Sequence, residues 1–198
     1  MVLRKRFFTR DAATAARELV GKHLVREFAG NRVVCRIVET EAYCGAEDKA
    51  SHACGNRRTE RTETMFGPAG RAYVYLIYGM YYCFNVVCGE IGDPQAVLIR
   101  AVQPLWGLEI IKGNRDIKSN KIEDLTNGPG KLCQALCIDD GFDGHNLIEK
   151  SELYFIDGDN EQELEVVAGK RINIDYAEEY RDKLWRFYIK GNSFISQG

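Results

Sequence analysis

The stretch VVCRIVETEAYCG, from Val33 to Gly45, carries two glutamates and a tyrosine where an apolar strand should simply continue. Side chains alternate faces along a strand, so Val33, Cys35, Ile37, Glu39, Glu41 and Tyr43 are expected on one side, and that side is the oily one. A carboxylate carried onto such a face loses its hydration and is costly unless something compensates it. It can then take a proton from water or steady positive charge on a sugar carbon, the two tasks of glycosidic bond cleavage. Glu41 is the sharper candidate, because it interrupts the apolar face just where the strand gives way to Tyr43 and Gly45, and strand ends opening into loops are where sites are built. Glu39 could do the same work. The structural alternative is that one or both glutamates only bind backbone amides or an arginine.

Aromatic supply is the second feature. Of ten tyrosines, Tyr43, Tyr73, Tyr75, Tyr78, Tyr81 and Tyr82 crowd near the glutamates and around YVYLIYGMYY. Each offers a flat face for stacking on a base and a hydroxyl for hydrogen bonding. At a hairpin tip such rings cannot all be buried in their own domain, and a wedge between stacked base pairs is one use for them if positive charge holds the backbone. That charge is available from Arg57, Arg58, Arg61 and Arg71, partly offset by Glu60 and Glu63, and from Lys112, Arg115, Lys118, Lys121 and Lys131. These are phosphate contacts or a solvated surface. The Gly128-Pro129-Gly130 helix start adds free amides that favour an anion. Cys44, His52 and Cys54 lack a second ligand pair at finger-like spacing, so no metal and no cofactor are expected.

The chain of 198 residues suits one domain spanning 1–198, with 45% apolar and 28% charged residues, ordinary globular values. No apolar run approaches the length of a membrane span, so no membrane partner is expected. The start, MVLRKRFFTRD, lacks the apolar core of a secretory signal, which predicts an intracellular protein, cytoplasmic and nucleoid-associated in a bacterium or nuclear in a eukaryote. Seven cysteines, an odd number without paired spacings, read as free thiols. Net charge is -2, yet Asp139 to Glu165 alone carries -9, through Asp159, Glu161 and Glu163 among others, which leaves the remainder at +7. A basic remainder can present a positive face to a polyanion.

The elements that must position these groups follow from pattern. Thr9 or Asp11 caps a helix through Ala15 and Leu19 that Gly21 ends. HLVREF and RVVCRIVET flank Ala29, Gly30 and Asn31 as a hairpin. GNRRTERTETMFGPAGR reads as a long Arg-rich loop, and RAYVYLIYGMYYCFNVVCGE as a second hairpin with an aromatic tip. QAVLIRAVQP is a strand, PLWGLEIIKGNR a helix, and NGPGKLCQALCI a helix opened by Pro129. Late strands are expected at ELYFI, EVVAG, INI and WRFYIKG. Strands arriving in hairpins predict the α+β class, a single domain with a largely antiparallel curved β-sheet surrounded by helices.

Taken together, the motifs RIVETEAY, EDKASHA, MFGPAGRAYVYLIYGMYYCFNVV, VLIRAVQPLWGLE, NGPGKLCQAL and RFYIKGNSFIS resemble the alkyladenine (3-methyladenine, methylpurine) DNA glycosylase family, in its order from Arg6 to Ser196. The resemblance implies a protruding β-hairpin that inserts into DNA, and a monofunctional enzyme that flips out alkylated or deaminated purines and hydrolyses the N-glycosidic bond, leaving an abasic site. It implies Glu41 as the carboxylate that activates water, with Arg100 beside it. Tyr43, His52, Tyr75 and Asn85 would line the base pocket, with Asn85 crowding the exocyclic amine of normal guanine, and Tyr78 would fill the vacated space in the duplex. Met65, Tyr81, Arg115, Lys131 and either Arg57 or Arg58 would meet the DNA backbone. The implied partner is double-stranded DNA containing damaged purines, bound by a monomer with no obligate protein partner. Two departures stand out. Glu60 replaces the proline of the family's Arg-Thr-Pro-Arg, and Leu184-Trp185 replaces proline and leucine, a change expected to alter packing only. A noncatalytic nucleic-acid-binding module and a nucleoside hydrolase are the competing classes, the first indifferent to loss of Glu41 and the second to loss of Arg57 and Arg58.

Overall fold

Period-two alternation builds the sheet, and the sheet carries the site. In the computed structural model, which describes residues 1–28, 30–158 and 164–196, the strands are β1 (His23–Phe28), β2 (Asn31–Cys44), β3 (Ala72–Ile77), β4 (Tyr81–Cys88), β5 (Gln95–Trp106), β6 (Leu153–Ile156), β7 (Val166–Gly169) and β8 (Arg186–Ile189). They form one curled sheet in the order β3-β4-β5-β2-β1-β6, every pair antiparallel. The long β2 changes neighbours halfway: Asn31–Arg36 pairs with β1, whereas Glu39–Glu41 pairs with β8, which in turn pairs with β7. The α-helices among the described residues are α1 (Lys5–Phe8), α2 (Ala12–Leu19), α3 (Leu108–Asn114) and α4 (Pro129–Ala135). The expected α+β domain with a curved antiparallel sheet is what the chain forms.

One expectation fails at the glutamates. Val33, Cys35 and Ile37 do enter the main core, but the ladder with β5 shifts register between Ile37 and Thr40, and beyond it Val38 and Ala42 are the core residues. Thr40 faces the same way, its Oγ1 donating to Ala16 O of α2 at 2.8 Å. The irregularity therefore moves the apolar set from odd to even positions, so Glu39, Glu41 and Tyr43 lie on the face opposite the main core. β3, β4 and β5 obey the same division. Ala72, Val74, Phe84, Val86, Val97 and Ile99 enter the core, while Tyr73, Tyr75, Cys83, Asn85, Leu98 and Arg100 face the other way into a cavity.

Helix α2 shows why this sequence folds as it does locally. Ala12, Ala15, Ala16 and Leu19 are buried at helical spacing, and the Asp11 side chain accepts a hydrogen bond from Thr14 N at 2.9 Å as the N-cap. Gly21 follows at φ 94°. Elsewhere the structure refines the pattern. PLWG continues β5 through Trp106, so the following helix begins only at Leu108. The Arg-rich loop contains a 3-10 helix, Glu60–Phe66, opened by reciprocal Thr59 and Thr62 bonds. The INI segment forms no strand: Asn173 has φ 59°, which breaks extended backbone. Ala29 of the first turn and Asp159, Glu161 and Glu163 of the acidic stretch lie outside the described residues. Asp143 is structural, its carboxylate accepting from Val74 N at 2.9 Å and from the Thr64 hydroxyl at 2.7 Å.

Replacing Asp11 with alanine removes an N-cap from a helix packed on the strand that carries both glutamates. We expect Asp11→Ala to cost about 1 kcal/mol and to lower the melting temperature by about 2–4 °C for a chain of this size, as read by thermal circular dichroism.

Candidate active site

Glu39 and Glu41 are both fully buried. Glu39 is satisfied inside the protein: Oε1 accepts from Arg186 Nε at 2.6 Å and from the Ser196 hydroxyl at 2.9 Å, and Oε2 accepts from Ser196 N at 2.7 Å. It fits the structural alternative. Glu41 has a different setting. Its Oε1 accepts from Ile172 N at 2.8 Å, and its Oε2 accepts from the Tyr43 hydroxyl at 3.0 Å with Arg100 Nη1 at 3.3 Å. Burial works against the Arg100 charge, but Glu41 and Glu39 outweigh it and hold the guanidinium above its ordinary range. Burial, then the Glu41 charge, push the Tyr43 hydroxyl far up, so it stays a donor. Three of these partners, Tyr43, Arg100 and Ile172, line a cavity of about 560 Å³, and Glu41 lies directly behind them.

The backbone that reaches Glu41 is held by an ion pair no motif announced. Arg171 bonds Asp48 twice, Nη1 to Oδ2 at 2.6 Å and Nη2 to Oδ1 at 2.8 Å, with both side chains fully buried. Its guanidinium carbon lies 4.9 Å from the Tyr43 ring and 5.1 Å from the Trp185 ring. The Trp185 departure thus acts through packing. Trp185 stacks on the residue next to Ile172, and its carbonyl accepts from Ala42 N at 2.8 Å. Lys49 adds bonds to Glu178 at 2.7 Å and Glu179 at 2.9 Å, which ties residues 172–180 to the segment carrying His52.

The cavity walls are aromatic. His52 meets the Tyr75 ring edge-on at 4.6 Å between centroids, and its Nδ1 is 2.9 Å from the Tyr73 hydroxyl. Desolvation beside these rings, reinforced by Arg61 and Arg57, pulls the His52 pKa down to about 4, so the ring is neutral at physiological pH. It is a neutral hydrogen-bonding group there, not a proton donor. Asn85, buried on β4, donates through Nδ2 to Tyr73 O at 3.0 Å. Tyr73, Ile172, Ser196 and the exposed Tyr176 also line the cavity. Tyr73 stood in the aromatic run of β3. No spacing signal marked Ile172 or Tyr176, which only the chain's return past Arg171 brings to the site.

At the mouth, the β3–β4 turn exposes Tyr78 and Met80, with Tyr78 78% accessible. Tyr78 and Gly79 both have positive φ, 54° and 68°, and Met80 N bonds Ile77 O at 3.2 Å. That is the mirror-image turn hairpins favour, yet a tyrosine at its first central position is strained. Tyr81 rests on Gly130, where an added Cβ would meet the Tyr81 side chain at 3.0 Å and oblige it to shift by a few tenths of an ångström. Arg115 bonds Gln134 and Asp124 O, and Lys131 bonds Asn127 Oδ1 at 2.6 Å; both line the cavity rim. Arg58 is engaged with Glu63 and the Phe66 ring, whereas Arg57 lines a second, adjoining hollow of about 310 Å³. Met65, expected at the DNA backbone, has its side chain buried in a small apolar cluster with Ala53, Phe66 and Tyr73 and lines the main cavity.

With this geometry in hand, comparison with known proteins gives the class. A model of the family described as methylpurine-DNA glycosylase matches residues 6–193, and the chain belongs to that family. It is 54% identical over 196 residues to a protein of Natranaerobius thermophilus, each chain being covered to 99%. It is 50% identical over 200 residues to one from Desulfitobacterium hafniense, with 98% of each covered, and 50% identical over 204 residues to one from Clostridium acetobutylicum. All three relatives carry the name "Putative 3-methyladenine DNA glycosylase".

Two measurements check this arrangement. Asp48→Asn strands the Arg171 charge in a dry site and should cost about 3–5 kcal/mol in denaturant unfolding. The second concerns pH. Between 6.5 and about 4 the unfolded chain protonates His52 and the folded chain does not, so this group subtracts stability as pH falls through that window. His52→Gln should flatten the decline of melting temperature across it.

Proposed function

We propose that the protein is a monofunctional DNA glycosylase that accepts an alkylated or deaminated purine, swung out of a duplex, and hydrolyses its N-glycosidic bond. The observation that carries this reading is a buried carboxylate, Glu41, held by Arg100, Tyr43 and Ile172 N immediately behind the wall of a purine-accommodating cavity lined by tyrosines. In this reading a water bound at that wall gives its proton to Glu41 as its oxygen attacks C1′, and the bond's electron pair leaves with the base. An alkylated purine already bears positive charge, so it departs neutral and needs little acid help. A cationic ring stacks well on tyrosine. Arg100 holds the carboxylate in place and keeps its charge tolerable before the proton arrives.

The hairpin supports a companion role for Tyr78. An exposed, strained aromatic beside the cavity mouth suits a wedge that fills the gap left by the extruded nucleotide, at an unstacking cost that is least for a damaged or mispaired base. Arg57, Arg115 and Lys131 would then meet phosphates. Lys131 is the one lysine lining the cavity among the described residues, and it is bonded to Asn127, which favours water over a lysine as the nucleophile. The noncatalytic and nucleoside-hydrolase readings leave the family membership and the exposed hairpin unexplained.

The test is release of free base from methylated duplex DNA. Glu41→Gln should slow release at least about 100-fold while binding to the damaged duplex persists. Release within about threefold of wild type would remove Glu41 from the chemistry.

A further inference from the structure

We propose that Arg61 determines lesion specificity, biasing the cavity against purines that carry a full positive charge and toward neutral damaged bases. The proposal rests on the base-excision reading above. Arg61 belongs to the 3-10 helix Glu60–Phe66, and its guanidinium carbon lies 4.9 Å over the Tyr75 ring, with Nη2 directed at Leu76 O at 3.4 Å. Tyr75 lines the main cavity; Arg61 does not, but lines the adjoining hollow with Arg57. In the proposed arrangement the phenol ring stands between the Arg61 guanidinium and a base stacked inside. Among the described residues Arg61 has no carboxylate partner, since Glu63 is taken by Arg58. Its charge is offset only in part, by the exposed Glu60 beside it in sequence.

Two effects follow from this sandwich. The electron-rich face of Tyr75 is already engaged by one cation, so it attracts a second, cationic base less strongly than a free ring would. In addition the base feels the Arg61 charge directly across one aromatic ring. The neighbouring His52 ring, 4.6 Å from Tyr75, registers the same field, with Arg61 and Arg57 adding to burial in keeping it unprotonated.

Lesions also differ in shape, but Arg61 does not line the main cavity, so what it acts on is the charge of the base. Cleavage preserves that difference. When the C1′–N bond breaks heterolytically its electron pair goes to the base, so a cationic lesion departs neutral and a neutral one departs as an anion or takes up a proton. At matched progress the two differ by one unit of charge, and the Arg61 field favours the less positive member in the complex and in the transition state alike. Coulomb interaction over about 8–10 Å at an effective dielectric near 20–40 corresponds to a discrimination of about 4- to 30-fold.

The experiment compares kcat/KM for release of 7-methylguanine, which is cationic, and of hypoxanthine, which is neutral, from otherwise identical duplexes. Wild type, Arg61→Gln and Arg61→Lys are used, each verified as folded by circular dichroism. Arg61 is exposed, so its loss should spare the fold. Arg61→Gln should raise the 7-methylguanine to hypoxanthine ratio about 4- to 30-fold, and Arg61→Lys, which keeps the charge, should move it much less. An unchanged or falling ratio would overturn the proposal, above all if both rates drop together and the salt slope shrinks by about one, the mark of a phosphate contact. Release of neither base by wild type would overturn instead the glycosylase reading beneath it.

Discussion

Two carboxylates buried two residues apart on one strand, Glu39 and Glu41, share one guanidinium, and among the described residues it is the ion-pair partner that Glu41 has. Arg100 Nε is 3.4 Å from Glu39 Oε1 and Arg100 Nη1 is 3.3 Å from Glu41 Oε2. Removing one charge from such a cluster strands the others in low dielectric, which is why the surroundings are built around it. Pairing of β2 with β5 sets Leu98 opposite Glu41 and places Arg100 two residues beyond Leu98. Ser196, near the chain's end, bonds both Glu39 and Arg100. The asymmetry between the glutamates has chemical meaning: Glu39 has its oxygens filled by Arg186 and Ser196, while the partners of Glu41 form the cavity wall.

The sheet serves two environments because of one irregularity. Before Ile37 the odd residues of β2 feed the main core, and after it the even ones do, which turns a fully apolar face into one that can carry acids without breaking the packing under α2. The cavity face is then closed by residues 171–180, fastened through Arg171–Asp48 and Lys49 and stacked on Trp185. This strap delivers Ile172 N to Glu41. Rigidity of the first carboxylate contact is thus supplied by groups that never line the chemistry, in keeping with the need for a second layer behind a functional group.

Much of this was legible in the residues. Alternation located the hairpins, Asp11 and Gly21 bracketed α2, and polarity on an apolar strand singled out Glu41. The aromatic run marked Tyr43 and Tyr75, whereas Asn85 and Arg100 joined them only through the family resemblance. What escaped was set by contacts remote in sequence. Nothing in ETEAY signals the register shift at Ile37, because a bulge is fixed by the partner strand. Nothing in RINI signals that Asn173 turns left-handed and that Arg171 finds Asp48 more than a hundred positions earlier. Met65 gets its place at the DNA backbone only from the resemblance, and no pattern signals that the 3-10 turn containing it points the side chain into an apolar cluster. The pairing of Arg58 with exposed Glu63 is likewise something only the folded turn shows.

The claim on which all of this turns is that Glu41 and Arg100 work as one unit on a water molecule. Single-turnover rates of base release from damaged duplex, measured for Arg100→Gln, Glu41→Gln and the double variant with the fold checked for each, test it most directly. Groups that act together are far from additive. The account predicts a double variant about as slow as the slower single one; losses that multiply, or an Arg100→Gln enzyme as fast as wild type, would contradict it.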